Sequence, residues 1–261
     1  MERPRIHIGW LYPEYMNLYG DRGNIIVLTQ RSRWHGLDPV VTQVRLGETA
    51  DFRQFDLLMM GGGQDREQAL IAEDFMKVKG NSLAEAIEDG LAVLAVCGGY
   101  QMLGLELNDP EGVESSAGRM AGLGLLPVRT TLAAEKTTYQ VSGSADWPIA
   151  GFWSDTGAGE TTGTGRNSFR TSSLPIRGYE IHCGHTVLLG GNPWITLERH
   201  GTASGKDPGI APGIASGAAL LRDGCLVSTP VGNGFIAGTY VHGLFDEPPF
   251  RRAFLNHLRR R

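Results

Sequence analysis

What is scarce in this sequence excludes several functions. There are only three cysteines among 261 residues, Cys97, Cys183 and Cys225. That number is odd, and the spacing lacks the paired pattern of a zinc site or a disulfide framework. Free thiols in a reducing, cytoplasmic compartment are the expectation. No run of residues approaches the roughly 20 apolar positions of a membrane span. The opening MERPRIHIGWLYPEY holds no apolar stretch long enough for a signal peptide. No large charge excess exists either: the formal net charge is -4, with both signs interspersed. That balance argues against a nucleic-acid footprint. The one basic cluster, Arg259-Arg260-Arg261, reads as a solvated helix end. No P-loop is present, because GGGQD at 61–65 lacks the following lysine and Ser/Thr.

What is abundant is glycine, 37 residues, placed where apolar runs stop. Arg5–Trp10, Pro39–Val44, Phe55–Met60 and Leu91–Val96 read as strands. Helical patterns lie between them: from about Ile25 to His35, from Asp65 to about Val78, and from Ser82 to Glu88. Strands that are apolar throughout and alternate with helices predict an α/β fold, a mostly parallel sheet with helices on both faces. In such sheets ligands bind beyond the carboxyl ends of the strands, where both glycine clusters fall. The second half is richer in Gly, Ser and Thr. Stretches near 154–173 and 201–217 read as loop insertions, Phe235–Phe245 as a late strand interrupted at His242-Gly243, and Pro249–Arg260 as a closing helix. Without a sharp linker, residues 1–261 read as a single domain.

AVCGGYQ places Cys97 in the turn between a buried strand and a helix, the logic of a nucleophile elbow. Gly99 and Ala95 supply the small neighbours such a turn requires, and the helix start would favour the thiolate. The bland reading is a buried structural cysteine. A thiol nucleophile needs a proton partner, and the candidates are His7, His35, His182, His185, His200, His242 and His257. His242 stands out, since GTYVHG repeats the strand-to-turn arrangement; a satisfied core histidine is the alternative. His182 and His185 flank Cys183, yet no third metal ligand follows by spacing, so no metal is expected. Free N–H groups at Gly62 and Gly63, facing Gly98, suit an oxyanion; a plain tight turn is the alternative.

AVCGGYQ, GYEIH and GTYVHGLFD together resemble class I glutamine amidotransferases of the cobyric-acid-synthase type, with their flavodoxin-like fold. LYPEYMNLYGDRGNI, GGGQDREQAL and LAEAIEDG are similar to the GatD-type subunits of that group, whereas DPEGVESSAG and GLGLLPVRTTLAAEKTT lean toward the cobyric-acid-synthase pattern. The resemblance implies that Cys97 attacks the amide of L-glutamine and that His242 shuttles the proton. Many members carry a glutamate two residues after that histidine; Leu244 stands there instead. Asp21 is the candidate to orient the imidazole, against the reading that it opens a turn or caps a helix. GatD-type proteins can carry an arginine suited to the glutamine carboxylate where this chain reads Thr138-Tyr139-Gln140. Arg66, Gln101 and Lys136 are the replacements considered. The resemblance also implies a partner, a MurT-like Mur-ligase subunit forming a heterodimer. It would hold the ATP and Mg that this chain has no motif for, and would amidate the D-glutamate of lipid II. A corrin-like acceptor and a non-catalytic binding module are the two other readings.

Overall fold

The computed structural model describes residues 3–63, 65–113, 118–148, 171–200 and 220–259, with the side chains of 65–69, Pro148 and Thr171 left aside. A six-stranded sheet runs in the order β11-β12-β4-β3-β1-β2. Its strands are β1 (Arg5–Leu11), β2 (Asp38–Val44), β3 (Leu57–Met60), β4 (Ala92–Val96), β11 (Cys225–Ser228) and β12 (Phe235–Thr239). All neighbours are parallel except β11, which is antiparallel to β12. The strands are apolar throughout because both faces are covered. On one face α1 (Arg22–Trp34) and α5 (Pro248–Leu258) share a core with Ile6, Ile8, Leu94 and Ala237. On the other, α2 (Asp65–Asp74), α3 (Gly80–Glu88) and α4 (Gly98–Leu103) cover Leu58, Met60, Val93 and Ala95.

The two helices expected between β3 and β4 form one continuous run. Phe75–Lys79 is a π-helical turn that joins α2 directly to α3. Its wider winding turns Lys79 back onto Asp74, five residues earlier, and both are buried. The late strand is shorter than expected: it ends at Thr239, so His242 lies in the turn beyond it.

The second half also builds a sheet that the sequence reading did not anticipate. It comprises β5 (Glu106–Asn108), β6 (Arg119–Ala121), β7 (Val128–Pro148), β8 (Thr171–Leu188), β9 (Ile195–His200) and β10 (Leu221–Asp223). The arms β7 and β8 pair antiparallel from Val128–Leu188 to Pro148–Thr171, with one irregularity between Leu132 and Thr137. Chain from Thr171 onward is therefore strand; the remainder of the expected insertion near 154–173, and all of 201–217, lies outside the described residues. Trp147 binds this sheet to α5, with Phe250 and Phe254 rings at 5.4 and 5.2 Å. Truncating so large a buried ring costs on the order of 3–5 kcal/mol. That anchorage brings the middle of β8 over the carboxyl ends of β4 and β12.

Candidate active site

Three strand ends meet at this edge. Cys97 follows β4 directly, and its N–H donates to the Thr239 carbonyl at 2.9 Å. The backbone there has φ 53° and ψ -116°, a conformation L-residues rarely adopt. This is the strained elbow the strand–Cys–Gly-Gly pattern calls for. Gly99 makes it possible: a Cβ there would lie 2.7 Å from the Gly61 carbonyl oxygen. Gly62 is needed for the same reason, since a Cβ would meet the Cys97 Cβ at 3.1 Å and its Sγ at 3.4 Å.

Asp21 reaches the same place from the other end of the chain. It occupies the N-cap position of α1, where a carboxylate ordinarily accepts from the first helical N–H groups, yet its side chain makes no cap hydrogen bond. Instead Oδ1 lies 2.8 Å from His242 Nδ1, and Oδ2 accepts the Gly62 N–H at 2.5 Å. Asn17 takes over at the helix, its Oδ1 accepting the Arg22 N–H at 2.8 Å. With Nδ1–H donating to Asp21, the lone pair of His242 is on Nε2, and that atom is buried with no partner among the described residues. The Tyr179 ring stacks on the imidazole at 5.2 Å, and the Tyr19 ring meets it edge-on at 5.8 Å. Backbone hydrogen bonds in both directions tie His242 to Tyr179 of β8, and the Cys97 thiol points to the Ile181 carbonyl on the same strand at 3.5 Å.

The thiol itself differs from expectation. Burial, then the nearby Asp21 charge, push its pKa up to about 12, against a hydrogen bond from the Gly98 N–H and the charge of Lys136. The helix that should favour a thiolate has six residues and a fully buried first turn. Desolvation wins, and Cys97 rests as a neutral thiol. Its proton must therefore leave during the reaction, to a base.

The other sequence candidates divide. Gly62 is not a free oxyanion donor: its N–H is already bound by Asp21, because the glycine turn packs against the 16–21 segment. Gly63 backs onto the same segment, with Met16 Sδ 2.4 Å from where its Cβ would be. The Gly98 N–H lies at the Cys97 sulfur. Gln101 is buried and turns its amide to the Tyr240 hydroxyl at 3.4 Å. Lys136 is exposed on β7, its Nζ donating to the Tyr19 hydroxyl at 2.6 Å. Arg66 lies on α2 with its side chain outside the described ones. Among the described residues no group of three His, Cys, Asp or Glu is placed to hold a metal ion.

Sequence reasoning missed what holds His242 in place. Asp223, at the end of β10, is buried and accepts from the Thr239 hydroxyl at 2.5 Å and the Tyr240 N–H at 3.1 Å. Thr239 Oγ1 in turn accepts the Val241 N–H at 3.0 Å. This network fixes the three residues before His242. A buried aspartate separated by 16 residues from its partner leaves no local pattern, so nothing in the chain marked it.

Comparison with known proteins agrees with the geometry. The family model of the CobB/CobQ-like glutamine amidotransferase domain matches residues 7–250. A cobyric acid synthase of Trichormus variabilis is 30% identical over 99% of this chain and 48% of its own length. One from Photorhabdus laumondii is 34% identical over 79% of this chain and 33% of its own. The chain thus spans about half, or less, of the curated relatives it matches. PurLQS from Thermotoga maritima shares the fold, with a TM-score of 0.51 at 18% identity over 98% of this chain and 99% of that one. Among the described residues, no helix is long and apolar enough to cross a membrane. The chain belongs to the CobB/CobQ-like glutamine amidotransferase family and is an amidotransferase enzyme.

Proposed function

We propose that the chain hydrolyses L-glutamine to glutamate and ammonia, with Cys97 as nucleophile, His242 as acid and base, and Asp21 positioning the imidazole. One observation carries this reading: Asp21 forgoes its helix cap to hold His242 Nδ1, which leaves the Nε2 lone pair buried and, among the described residues, unpartnered. As the Cys97 sulfur bonds to the amide carbon, the thiol proton passes to Nε2. The carbonyl oxygen takes the negative charge near the Gly98 N–H. His242 returns the proton to the nitrogen, the C–N bond breaks, and ammonia leaves a glutamyl thioester. Water, deprotonated by His242, then releases glutamate and the thiol. We assign the substrate carboxylate to Lys136, whose Nζ donates to the Tyr19 hydroxyl beside His242. Leu244, where many relatives of this type have glutamate, is buried and apolar; Asp21 supplies the missing carboxylate.

Ammonia is useful for synthesis when it reaches an activated carboxylate. We assign that step to a MurT-like, ATP- and Mg-dependent partner subunit that amidates the D-glutamate of lipid II. Support comes from the GatD-like segments that include Asp21 itself and residues 61–70. A corrin-like acceptor is the second reading, favoured by relatives named cobyric acid synthase that match up to 99% of the chain. The first test is glutamate release from L-glutamine by the purified chain and by Cys97→Ala, alone and with each candidate ligase. Release lost in Cys97→Ala supports the glutaminase, and the ligase that raises release and yields an amidated product identifies the acceptor. No release under any condition would replace this reading with that of a binding module.

A further inference from the structure

One hydrogen bond to Asp21 does not fix the plane of the His242 ring, because the terminal torsion of a histidine is soft. Nor does that bond hold Asp21 itself. The chain reaches Asp21 through Tyr19 and Gly20, at φ 55° and 86°. Both lie in the left-handed region, which tyrosine enters at a cost, so contacts from outside the segment must secure the turn. Leu18 gives one, its N–H donating to the Gly62 carbonyl at 2.8 Å. Strand β8 gives another.

Tyr179 of β8 touches both halves of the Asp21–His242 pair. Its hydroxyl donates to the Tyr19 carbonyl oxygen, 160 residues away in the chain and just ahead of Asp21. Its ring lies parallel to the imidazole, with 9° between the planes and 5.2 Å between centroids. Main-chain hydrogen bonds with His242, at 2.9 and 3.2 Å, set that spacing. Glycines on both sides permit the approach. A Cβ on Gly178 would collide with the His242 carbonyl oxygen, and one on Gly20 would lie 3.3 Å from the Tyr179 hydroxyl. Burial first, and then the Asp21 and Asp246 charges, raise the pKa of the phenol, so it stays a donor at neutral pH. The Tyr19 edge meets the imidazole from another direction at 5.8 Å. A ring bounded by one tyrosine face and one tyrosine edge, in a close-packed interior, turns only if a tyrosine moves. The Tyr179 face also favours the imidazolium that forms when Nε2 takes a proton, since a cation within about 6 Å of an aromatic centroid is attracted to it.

We propose that Tyr179 is a positioning residue of this site: its hydroxyl ties the Asp21 segment to β8 through the Tyr19 carbonyl, and its ring fixes the plane of His242, so that the two keep the geometry proton transfer needs. The assignment deepens the glutaminase reading and rests on it for what that geometry serves. Tyr179→Phe removes a single oxygen and keeps the ring and the main-chain pairing, so its folding is not in question. Two measurements are made on the purified chain. Without substrate, the ¹H–¹⁵N signal of the His242 Nδ1–H is followed by NMR and its exchange with solvent timed. With L-glutamine, kcat and KM of glutamate release are determined. In Tyr179→Phe the Nδ1–H should exchange roughly fivefold to tenfold faster and kcat should fall by a similar factor, the scale of one lost hydrogen bond, with KM unchanged. Tyr179→Leu, which also takes away the face against the imidazole, should lose about a further tenfold in kcat. A lower thermal midpoint in Tyr179→Phe, with Nδ1–H exchange and kcat per folded molecule unmoved, would make Tyr179 an ordinary packing residue and overturn the proposal. A raised KM at constant kcat would also overturn it, by assigning the side chain to substrate binding. If the parent releases no glutamate, the glutaminase reading falls while Nδ1–H exchange still decides whether Tyr179 holds the pair. Normal release with unmoved exchange in the variant removes the role of Tyr179 alone.

Discussion

Two buried aspartates illustrate how differently this fold uses the same group. Asp74 sits in a closed cluster: Oδ2 is bound by Lys79 and by the Tyr12 hydroxyl at 2.9 Å, and Oδ1 accepts the Gly47 N–H at 2.7 Å. Lys79 Nζ also lies over the Tyr12 ring at 4.9 Å. Burial alone would raise the carboxyl's pKa, but Lys79, Gly47 and Tyr12 outweigh it and hold the group below its usual range. Asp21 begins in the same way, with Gly62 and His242 as partners. There the chain of hydrogen bonds ends on an imidazole nitrogen that none of the described residues satisfies. The closed cluster fixes a backbone. The open one leaves a lone pair unused on the residue proposed as the acid and base, and a buried unsatisfied atom of that kind has a cost that folding alone does not explain.

The strongest way to break this contrast is Asp21→Asn. An amide at this position stabilises the wrong imidazole tautomer and no imidazolium, and in a Ser-His-Asp protease the same change lowers kcat by about 10⁴. A fall of roughly that size in glutamate release is expected here, with little change in thermal stability. Loss of the carboxylate charge, the second cause of the raised Cys97 pKa, also makes the thiol more acidic. Iodoacetamide should therefore alkylate Asp21→Asn faster than the parent chain between pH 7 and 9, while catalysis moves the other way. A kcat within tenfold of the parent would place Asp21 with Asp74 as a structural group.

Lys79→Met is the converse test. It leaves Asp74 buried without its cation, a change expected to cost about 3–5 kcal/mol in urea unfolding. Glutamate release per folded molecule should stay the same. The sign with pH follows from the lowered Asp74 pKa: its contribution is present above the unfolded carboxyl's value, about 3.9, and is lost as pH falls through the lower folded value. Lys79→Met should lose less of its remaining stability than the parent on acidification below pH 4.

Much of this arrangement could be read from the chain, and the limits are physical. The parallel strands are legible because burial on both faces makes them apolar throughout. The elbow is legible because a strained φ demands small residues at fixed offsets from Cys97. The arms β7 and β8 were not: VRTTLAAEKTTYQVSGSADWP is rich in Thr, Ser and Ala with one side open to solvent, which leaves no strong alternation. The Asp74–Lys79 pair escaped because helical reasoning looks at spacings of three and four, and only the π-turn makes five work. The Asp21–His242 contact spans 221 residues. Local pattern could offer Asp21 only as a cap or a turn, so its role had to come from resemblance.

The smallest expected effect, and the one that separates positioning from chemistry, concerns Asp223. Burial raises its pKa to about 6, against the pull of the Thr239 hydroxyl and the Tyr240 and Gly224 N–H groups, with the Glu180 charge raising it further. An acid with a raised folded pKa holds its proton more tightly when folded. Its contribution to stability is therefore full below the unfolded value near 3.9, declines as pH rises through 6, and is flat above. Holding the carboxyl at about 6 and not at its ordinary value corresponds to roughly 3 kcal/mol. Glu180, whose pKa is lowered, works in the opposite direction at lower pH, below its ordinary value, so the parent's full acid limb mixes the two signs. The difference between parent and Asp223→Asn separates them: the variant should gain on the parent by up to about 3 kcal/mol between pH 4 and 7 in urea unfolding. Its amide must also turn the NH₂ toward either the Tyr240 or the Gly224 N–H, which loosens the hold on the residues before His242. Misplacing a catalytic group by an ångström can cost 10²-fold; with the backbone still held by β12, about tenfold in kcat with KM unchanged is expected. If the pH slope disappears and kcat does not move, Asp223 belongs with Asp74, and Asp21 alone orients His242.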